Sequence, residues 1–263
     1  MKKTKNKAKN KKVTRETKDQ PESNEADFVF GHHAAQEALK KARGNKLFLL
    51  KEAGGTKIEE LKVLAKEHSV PVKWVPKQKL DQMSEGGVHQ GVVLAITPYQ
   101  YLTLNELIEQ SKSQPFFVLL DHIEDPHNFG SILRTADASG VDGIIIPKHR
   151  ACGITPTVVK TSTGAVEYVP VARVTNLTQA VTALKEKGFW IFGTDMNGTS
   201  YHEWNATGAI GLIIGNEGHG MNTALKKQVD ETLTIPITGH VQSLNASVAS
   251  GILMYEAFVK RNE

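Results

Sequence analysis

The chain has 263 residues, 40% of them hydrophobic and 23% charged, a mixture with enough apolar surface to fold rather than remain disordered throughout. No apolar run reaches the length of about 18 residues that a membrane-spanning helix needs. The single cysteine, Cys152, excludes an internal disulfide framework and a cysteine-based zinc site. The net charge of +4 is unevenly spread: residues 1–24 hold nine Lys and Arg against three Asp and Glu, leaving 23 cations and 25 anions for the other 239 residues. That segment, taken to residue 26, reads as a disordered basic tail, which either adds salt-sensitive affinity for a polyanion or serves only as a solubilising extension. The N-terminus lacks the apolar core of a secretory signal, so a cytoplasmic protein is expected.

Order is expected to begin near Phe28. Residues 32–42 read as a short helix and 46–50 as a strand. In 57–68 the spacing of Ile58, Leu61, Leu64 and Ala65 predicts a second helix. Strands follow at 70–75 and 91–96, which makes 27–98 a small α/β unit, and the polar, partly helical stretch 99–114 reads as a linker. From 115 to 263 the alternation is stricter. Strands are predicted at 116–121, 143–147, 167–174, 189–195, 209–215 and 231–237, and helices at 128–139, 178–188, 221–229 and 246–261. Apolar strands alternating with helices predict a parallel sheet covered on both faces.

Several nucleotide and catalytic fingerprints are missing. There is no GxxxxGK[ST], no GxGxxG after the first strand of the second unit, no GxSxG and no HxxxH. Three other segments, all at strand ends, carry polar residues in unusual settings. In Asp125–Ala136 (DPHNFGSILRTA), Asn128 is expected to cap a helix, and Arg134 lies one turn beyond Gly130 and Ser131. It is either a solvated arginine or a phosphate contact at an anion-facing helix start. In Ile213–Met221 (IIGNEGHGM) three glycines flank Glu217; this is either a strand-to-helix turn or a place where a ligand approaches the backbone. In Ile235–Ala249 (IPITGHVQSLNASVA) a strand ends at a proline and a polar loop leads into a helix of small residues. Asn245 is its expected cap, and Ala246, Ala249 and Gly251 permit close helix contact.

In order and spacing, N-x-G-x-x-x-R-T-A, G-N-E-G-x-G-M and I-P-x-x-G-x-x-x-S-L-N-x-S-V-A resemble the three motifs of the SpoU/TrmH family of RNA ribose 2′-O-methyltransferases, within the SPOUT superfamily. The first unit, with GHHAAQEAL near its start and HQGVV near its end, is similar to that family's L30e-like RNA-binding domain. The arrangement most resembles the subfamily that methylates a guanosine of large-subunit ribosomal RNA.

The resemblance implies an α/β fold whose parallel-sheet domain carries a deep trefoil knot, a topology that general chain-path rules would reject. It implies S-adenosylmethionine as cofactor, with Gly215, Ile235, Leu244 and Thr194 as its contacts. It implies catalytic roles for Asn128, Arg134, Glu217, Ser243 and Asn245, an RNA substrate and a homodimer; the missing HxxxH pairing separately argues against a metal site. Transfer RNA as substrate, or a non-catalytic RNA-binding protein, are the alternatives. The densest basic group of the first unit, Lys40, Lys41, Arg43, Lys46 and Lys51, is either a solvated face or an RNA contact.

Overall fold

The computed structural model describes residues 27–216 and 218–262. The basic tail and the motif residue Glu217 lie outside the described residues.

The first unit comprises β1 (Asp27–Phe30), α1 (His32–Lys40), β2 (Gly44–Leu50), α2 (Thr56–Glu67), β3 (Val72–Val75), α3 (Lys77–Met83) and β4 (Val92–Ile96). Its sheet runs in the order β1-β4-β2-β3, antiparallel at the first two pairings and parallel at the last. Ala34, Ala35, Ala38 and Leu39 form the buried stripe of α1; three alanines let the helix lie close to the sheet. The HQGVV segment has a structural use here. Buried His89 accepts from the Gly91 N–H at 2.9 Å and meets Asp81 at 3.0 Å, which fixes the turn into β4.

The stretch 99–114, read from sequence as a linker, carries α4 (Leu104–Gln110), opened by a reciprocal capping box between Thr103 and Glu106. The Tyr99 hydroxyl accepts from the Val171 N–H at 3.1 Å, and the Tyr101 hydroxyl from the Ile154 N–H at 2.6 Å. Burial pushes the Tyr99 hydroxyl up to about 12. Two neutral phenols thus hold this stretch against the second unit.

The second unit contains β5 (Phe116–Leu120), α5 (Pro126–Ala138), β6 (Gly143–Pro147), α6 (Pro156–Thr161), β7 (Val171–Val174), α7 (Leu177–Glu186), β8 (Trp190–Ser200), β9 (Ile210–Ile214), α8 (Thr223–Lys226), β10 (Glu231–Thr234) and α9 (Ala246–Asn262). All six strands are parallel, in the order β10-β8-β9-β5-β6-β7. The two-residue period of the strands divides the core. Phe116, Val118 and Leu120 pack with α5 and α9, while Phe117 and Leu119 pack with α7 on the other face. Every residue of β5 is buried, which is why it reads as a continuous apolar run. Burial of each such side chain is worth about 1.5–3 kcal/mol.

Polar contacts lock the units together. Arg43 pairs with Glu167, which stands on a single 3-10 turn (Ala165–Glu167), and also donates to the Thr97 carbonyl at 3.1 Å. The Tyr168 hydroxyl donates to Glu37, and Lys41 sits 4.1 Å over the Tyr168 ring. Burial pushes the Glu167 carboxyl up, against the pull of Arg43. Of the five basic residues grouped in the sequence, Lys40, Lys41 and Arg43 are therefore engaged within the chain: Lys40 reaches Glu37 at 2.7 Å, and the other two face the second unit. Lys46 and Lys51 are exposed.

Replacing Arg43 with Ala leaves Glu167 buried without its cation. We expect a loss of about 3 kcal/mol, read as a lower urea midpoint at unchanged slope. The double change Arg43→Met with Glu167→Leu should recover most of that loss.

Candidate functional site

In a parallel sheet the strands end at one edge, and the loops there are free to build a site. The central strand β5 ends at buried Asp121, 2% exposed. One oxygen of its carboxylate accepts from His122 Nδ1 at 2.6 Å, and the other from the Asn222 backbone N–H at 2.6 Å. The His122 carbonyl accepts from Asn216 Nδ2 at 3.0 Å, with His122 itself in the left-handed region at φ 59°. Asn216 and Gly220 pair through their backbones, closing the glycine-rich turn after β9. Asp121 thus holds both ends of that turn. Gly215 is required for another reason: a Cβ there would overlap the backbone of Gly220 and Met221.

The cap of α5 differs from expectation. Asp125 is the N-cap, its carboxylate accepting from the N–H groups of His127 at 3.2 Å and Asn128 at 3.1 Å, with Pro126 at the first helical position. Asn128 is therefore inside the helix, and its side-chain oxygen accepts from Asn245 Nδ2 at 2.9 Å. Asn245 does cap α9, accepting from the N–H groups of Ser247 at 3.0 Å and Val248 at 3.3 Å. One amide pair therefore joins the starts of two helices 117 residues apart in the chain. Gly130 serves packing, since a Cβ would meet the Thr161 side chain and, at 3.1 Å, the Val158 carbonyl on α6. Arg134 is exposed on α5, and among the described residues no hydrogen bond or ion pair engages its guanidinium.

Beside these segments lies a cavity of about 340 Å³. Three stretches of chain form it. From β8 come Thr194, Asp195 and Met196, from the turn after β9 come Asn216 and Gly218–Gly220, and from the segment after β10 come Ile235, Ile237 and Gln242–Leu244. Ala246, Ala249 and Leu253 of α9 close one wall. The β8 contribution depends on an irregularity. Parallel pairing with β10 jumps from Gly193↔Thr232 to Thr199↔Leu233, so the intervening residues bulge away and carry Thr194–Met196 toward the cavity. Thr194 is anchored by donating to the Ile213 carbonyl at 3.1 Å. Asp195 pairs with Lys226, whose hydrogen bond holds the carboxyl below its usual range. The cavity edge thus carries a salt bridge among apolar walls, since Lys226 lines it together with Asp195.

Of the nine residues singled out from the motifs, Thr194, Ile235, Ser243 and Leu244 line the cavity. Gly215 sits directly before it, Asn128 and Asn245 are bonded to each other at its rim, and Arg134 is not among its lining residues. Sequence reasoning missed Asp121, His122, Asp195 and Lys226. A carboxylate directly after a buried strand marks Asp121, but nothing local marks the others, whose importance depends on the bulge and the turn. Among the described residues no group of His, Cys, Asp and Glu could hold a metal ion.

The family model described as the SpoU rRNA Methylase family matches residues 115–255, and one described as RNA 2′-O ribose methyltransferase substrate binding matches 28–102. A Bacillus subtilis (strain 168) protein named for the TrmH family of tRNA/rRNA methyltransferases is 46% identical over 247 residues, covering 91% of this chain and 98% of its own. The structure of the SpoU methyltransferase AviRb from Streptomyces viridochromogenes, in complex with AdoMet, superposes with a TM-score of 0.78 at 25% identity, covering 90% of each chain. The AdoMet-bound rRNA methyltransferase from Sinorhizobium meliloti superposes with a TM-score of 0.76 at 25% identity, over 88% of this chain and 86% of its own.

Asp121→Ala removes the charged acceptor for His122 and for the Asn222 N–H. We expect a cost of about 2 kcal/mol. Native-state hydrogen exchange should accelerate at Gly218–Asn222 well beyond any change in β2.

Proposed function

The chain belongs to the SpoU rRNA methylase family, and on that premise we propose that it transfers a methyl group from S-adenosylmethionine to a ribose 2′-hydroxyl of RNA, its target a guanosine of large-subunit ribosomal RNA. The observation that carries this reading is the convergence of three separate chain segments on one cavity, next to the Asn128–Asn245 bond on the helix that bears Arg134. The same convergence supports a threaded C-terminal segment. The rRNA methyltransferase from Sinorhizobium meliloti covers 88% of this chain, whereas two tRNA-modifying enzymes among the structural neighbours cover 60% and 57%, which favours ribosomal RNA over transfer RNA.

The cavity suits the cofactor. Its volume lies at the lower end of the range of about 300–1,000 Å³ for small-molecule sites. Ile235, Leu244 and Leu253 offer apolar walls, and Thr194 and Ser243 offer hydroxyls. The turn opened by Gly215 brings backbone groups up to the cavity where a side chain would have displaced them. When bound, S-adenosylmethionine supplies a methyl group already activated on a sulfonium, so the protein's task is orientation and proton handling.

Arg134 is assigned to the RNA side of the reaction. A guanidinium stays protonated and makes a poor base, but it binds phosphate in a two-pronged fashion and stabilises a developing alkoxide. The ribose proton then leaves to the phosphate or to water. Asn128 and Asn245 fix the helix starts so that Arg134 and the cavity keep their relation. Ser243 and Glu217 are assigned to orienting the nucleotide and the cofactor.

The chain is further proposed to act as a cytoplasmic homodimer. On α9, Val248, Tyr255 and Val259 are 51%, 47% and 47% exposed, and with half-buried Ile252 they fall at the spacing of one helix face. Ala246 and Ala249 of α9 face the cavity and Gly251 faces α5, which leaves this stripe for a second copy. No described helix is long and apolar enough to cross a membrane.

Arg134→Lys should lower single-turnover methyl transfer about 10²-fold, while calorimetric affinity for S-adenosylmethionine stays within a factor of about two. Equal turnover would remove Arg134 from the chemistry. Val248→Glu with Tyr255→Glu should yield a monomer by sedimentation with unchanged far-UV dichroism. Mapping 2′-O-methyl positions in total RNA from cells lacking the protein identifies the substrate; loss of a mark in transfer RNA alone would overturn the ribosomal assignment.

A further inference from the structure

A second and larger concavity of about 1320 Å³ opens between the two units. One wall is β1 with the loop after α3; the other is α6 with the first residues of α5. Its volume exceeds the range of about 300–1,000 Å³ usual for one small molecule, and it is an open cleft. Pro126 and His127 stand on its wall, and the next residue in the helix, Asn128, is bonded to Asn245 at the rim of the cofactor cavity. The first turn of α5 therefore lies between the two sites.

The lining has a definite chemistry. Phe28 is half-buried and lines the cleft, and Phe30 presents its ring to Lys160, whose Nζ lies 5.0 Å from the centroid. Lys160 is exposed, and among the described residues no carboxylate pairs with it. Thr155, Thr157 and Thr163 add hydroxyls, and Asp27 and Glu85 add carboxylates. One cation beside aromatic rings suits a phosphate and a stacked base. Two carboxylates disfavour a run of bare phosphates but accept hydrogen bonds from base N–H groups. A duplex hides those base edges and faces, so the occupant needs an unpaired base.

We propose that this cleft binds an unpaired RNA nucleotide adjoining the methylated one. Phe28 is its stacking surface, Lys160 its phosphate contact, and Asp27 and Glu85 its acceptors for base N–H groups. The assignment rests on the methyltransferase reading of the neighbouring site and deepens it: the substrate is single-stranded on the side that leaves the site past His127.

The test uses the full chain and a short mixed-sequence single-stranded oligoribonucleotide carrying 4-thiouridine. Near-ultraviolet cross-linking should place RNA adducts on peptides containing Phe28 and residues 155–163. Anisotropy titrations should show Lys160→Ala reducing the slope of log K against log salt by about 0.7. Phe28→Leu should weaken binding about tenfold at fixed salt. Lys160 is exposed, so its replacement leaves folding intact, and S-adenosylmethionine binding by calorimetry should match that of the unaltered chain. Cross-links confined to other surfaces, with an unchanged salt slope for Lys160→Ala, would overturn the cleft while leaving the methyltransferase reading in place. An unaltered chain that fails to bind S-adenosylmethionine would strike the methyltransferase reading instead, and the adduct positions would still decide the cleft.

Discussion

A buried carboxylate at the end of the central strand is the constraint on which the site depends. Burying Asp121 takes a charge out of water, which is tolerable only if its oxygens are fully engaged. They are, by His122 on one side and the Asn222 N–H on the other. Those partners bracket the turn that begins at Gly215, so the cost of desolvating one group is offset by bonds that shape a ligand-facing loop. An apolar residue at 121 would pack at the strand end but leave the turn without a common anchor.

The bulge in β8 complements that anchor. A regular strand would have placed Thr194–Met196 in the sheet, alternately facing the two cores. Breaking register with β10 releases them, and the Asp195–Lys226 pair together with the bond from Thr234 to the Met196 carbonyl holds them outside it. Cavity formation here consists of two local departures from regular structure, a bulge and a glycine turn, both at one edge of an otherwise continuous parallel sheet. The interior sheet needs no such exceptions, and its strands are apolar throughout.

That contrast explains what was legible in the sequence. The core strands and amphipathic helices are dictated by local hydrophobic pattern, and their order followed from alternation alone. β1 escaped notice because four residues next to a polar segment show no period, and α3 because only Leu80 of its seven residues is buried. Strand 167–174 was read too long, since Ala165–Glu167 forms a 3-10 turn that presents Glu167 to Arg43. The motif loops stood out through glycines and polar residues at strand ends. Asn128 satisfies the local preference for a cap, yet Asp125 precedes a proline at the first helical position and takes that place. Partnerships such as Asn128 with Asn245, or Arg43 with Glu167, depend on long-range geometry that no local pattern encodes.

The same partnerships bear on how the molecule handles a large substrate. The cavity and Arg134 stand on different elements, and Arg134 itself is held by no described side chain. Its position is set through α5: by the Asp125 cap, by the close approach of Gly130 to α6, and by the bond from Asn128 to Asn245. The helix that carries the arginine is thereby tied at one end to the wall of the cavity and along its side to α6, which also forms the wall of the interdomain cleft. The first unit is in turn locked by Arg43, Glu37 and Lys41 onto the turn that follows α6. One unbroken series of contacts thus runs from the first unit by way of α6 and Gly130 to the helix bearing Arg134. If the first unit holds the RNA as proposed, these contacts fix where that RNA lies relative to Arg134, without requiring either site to change shape.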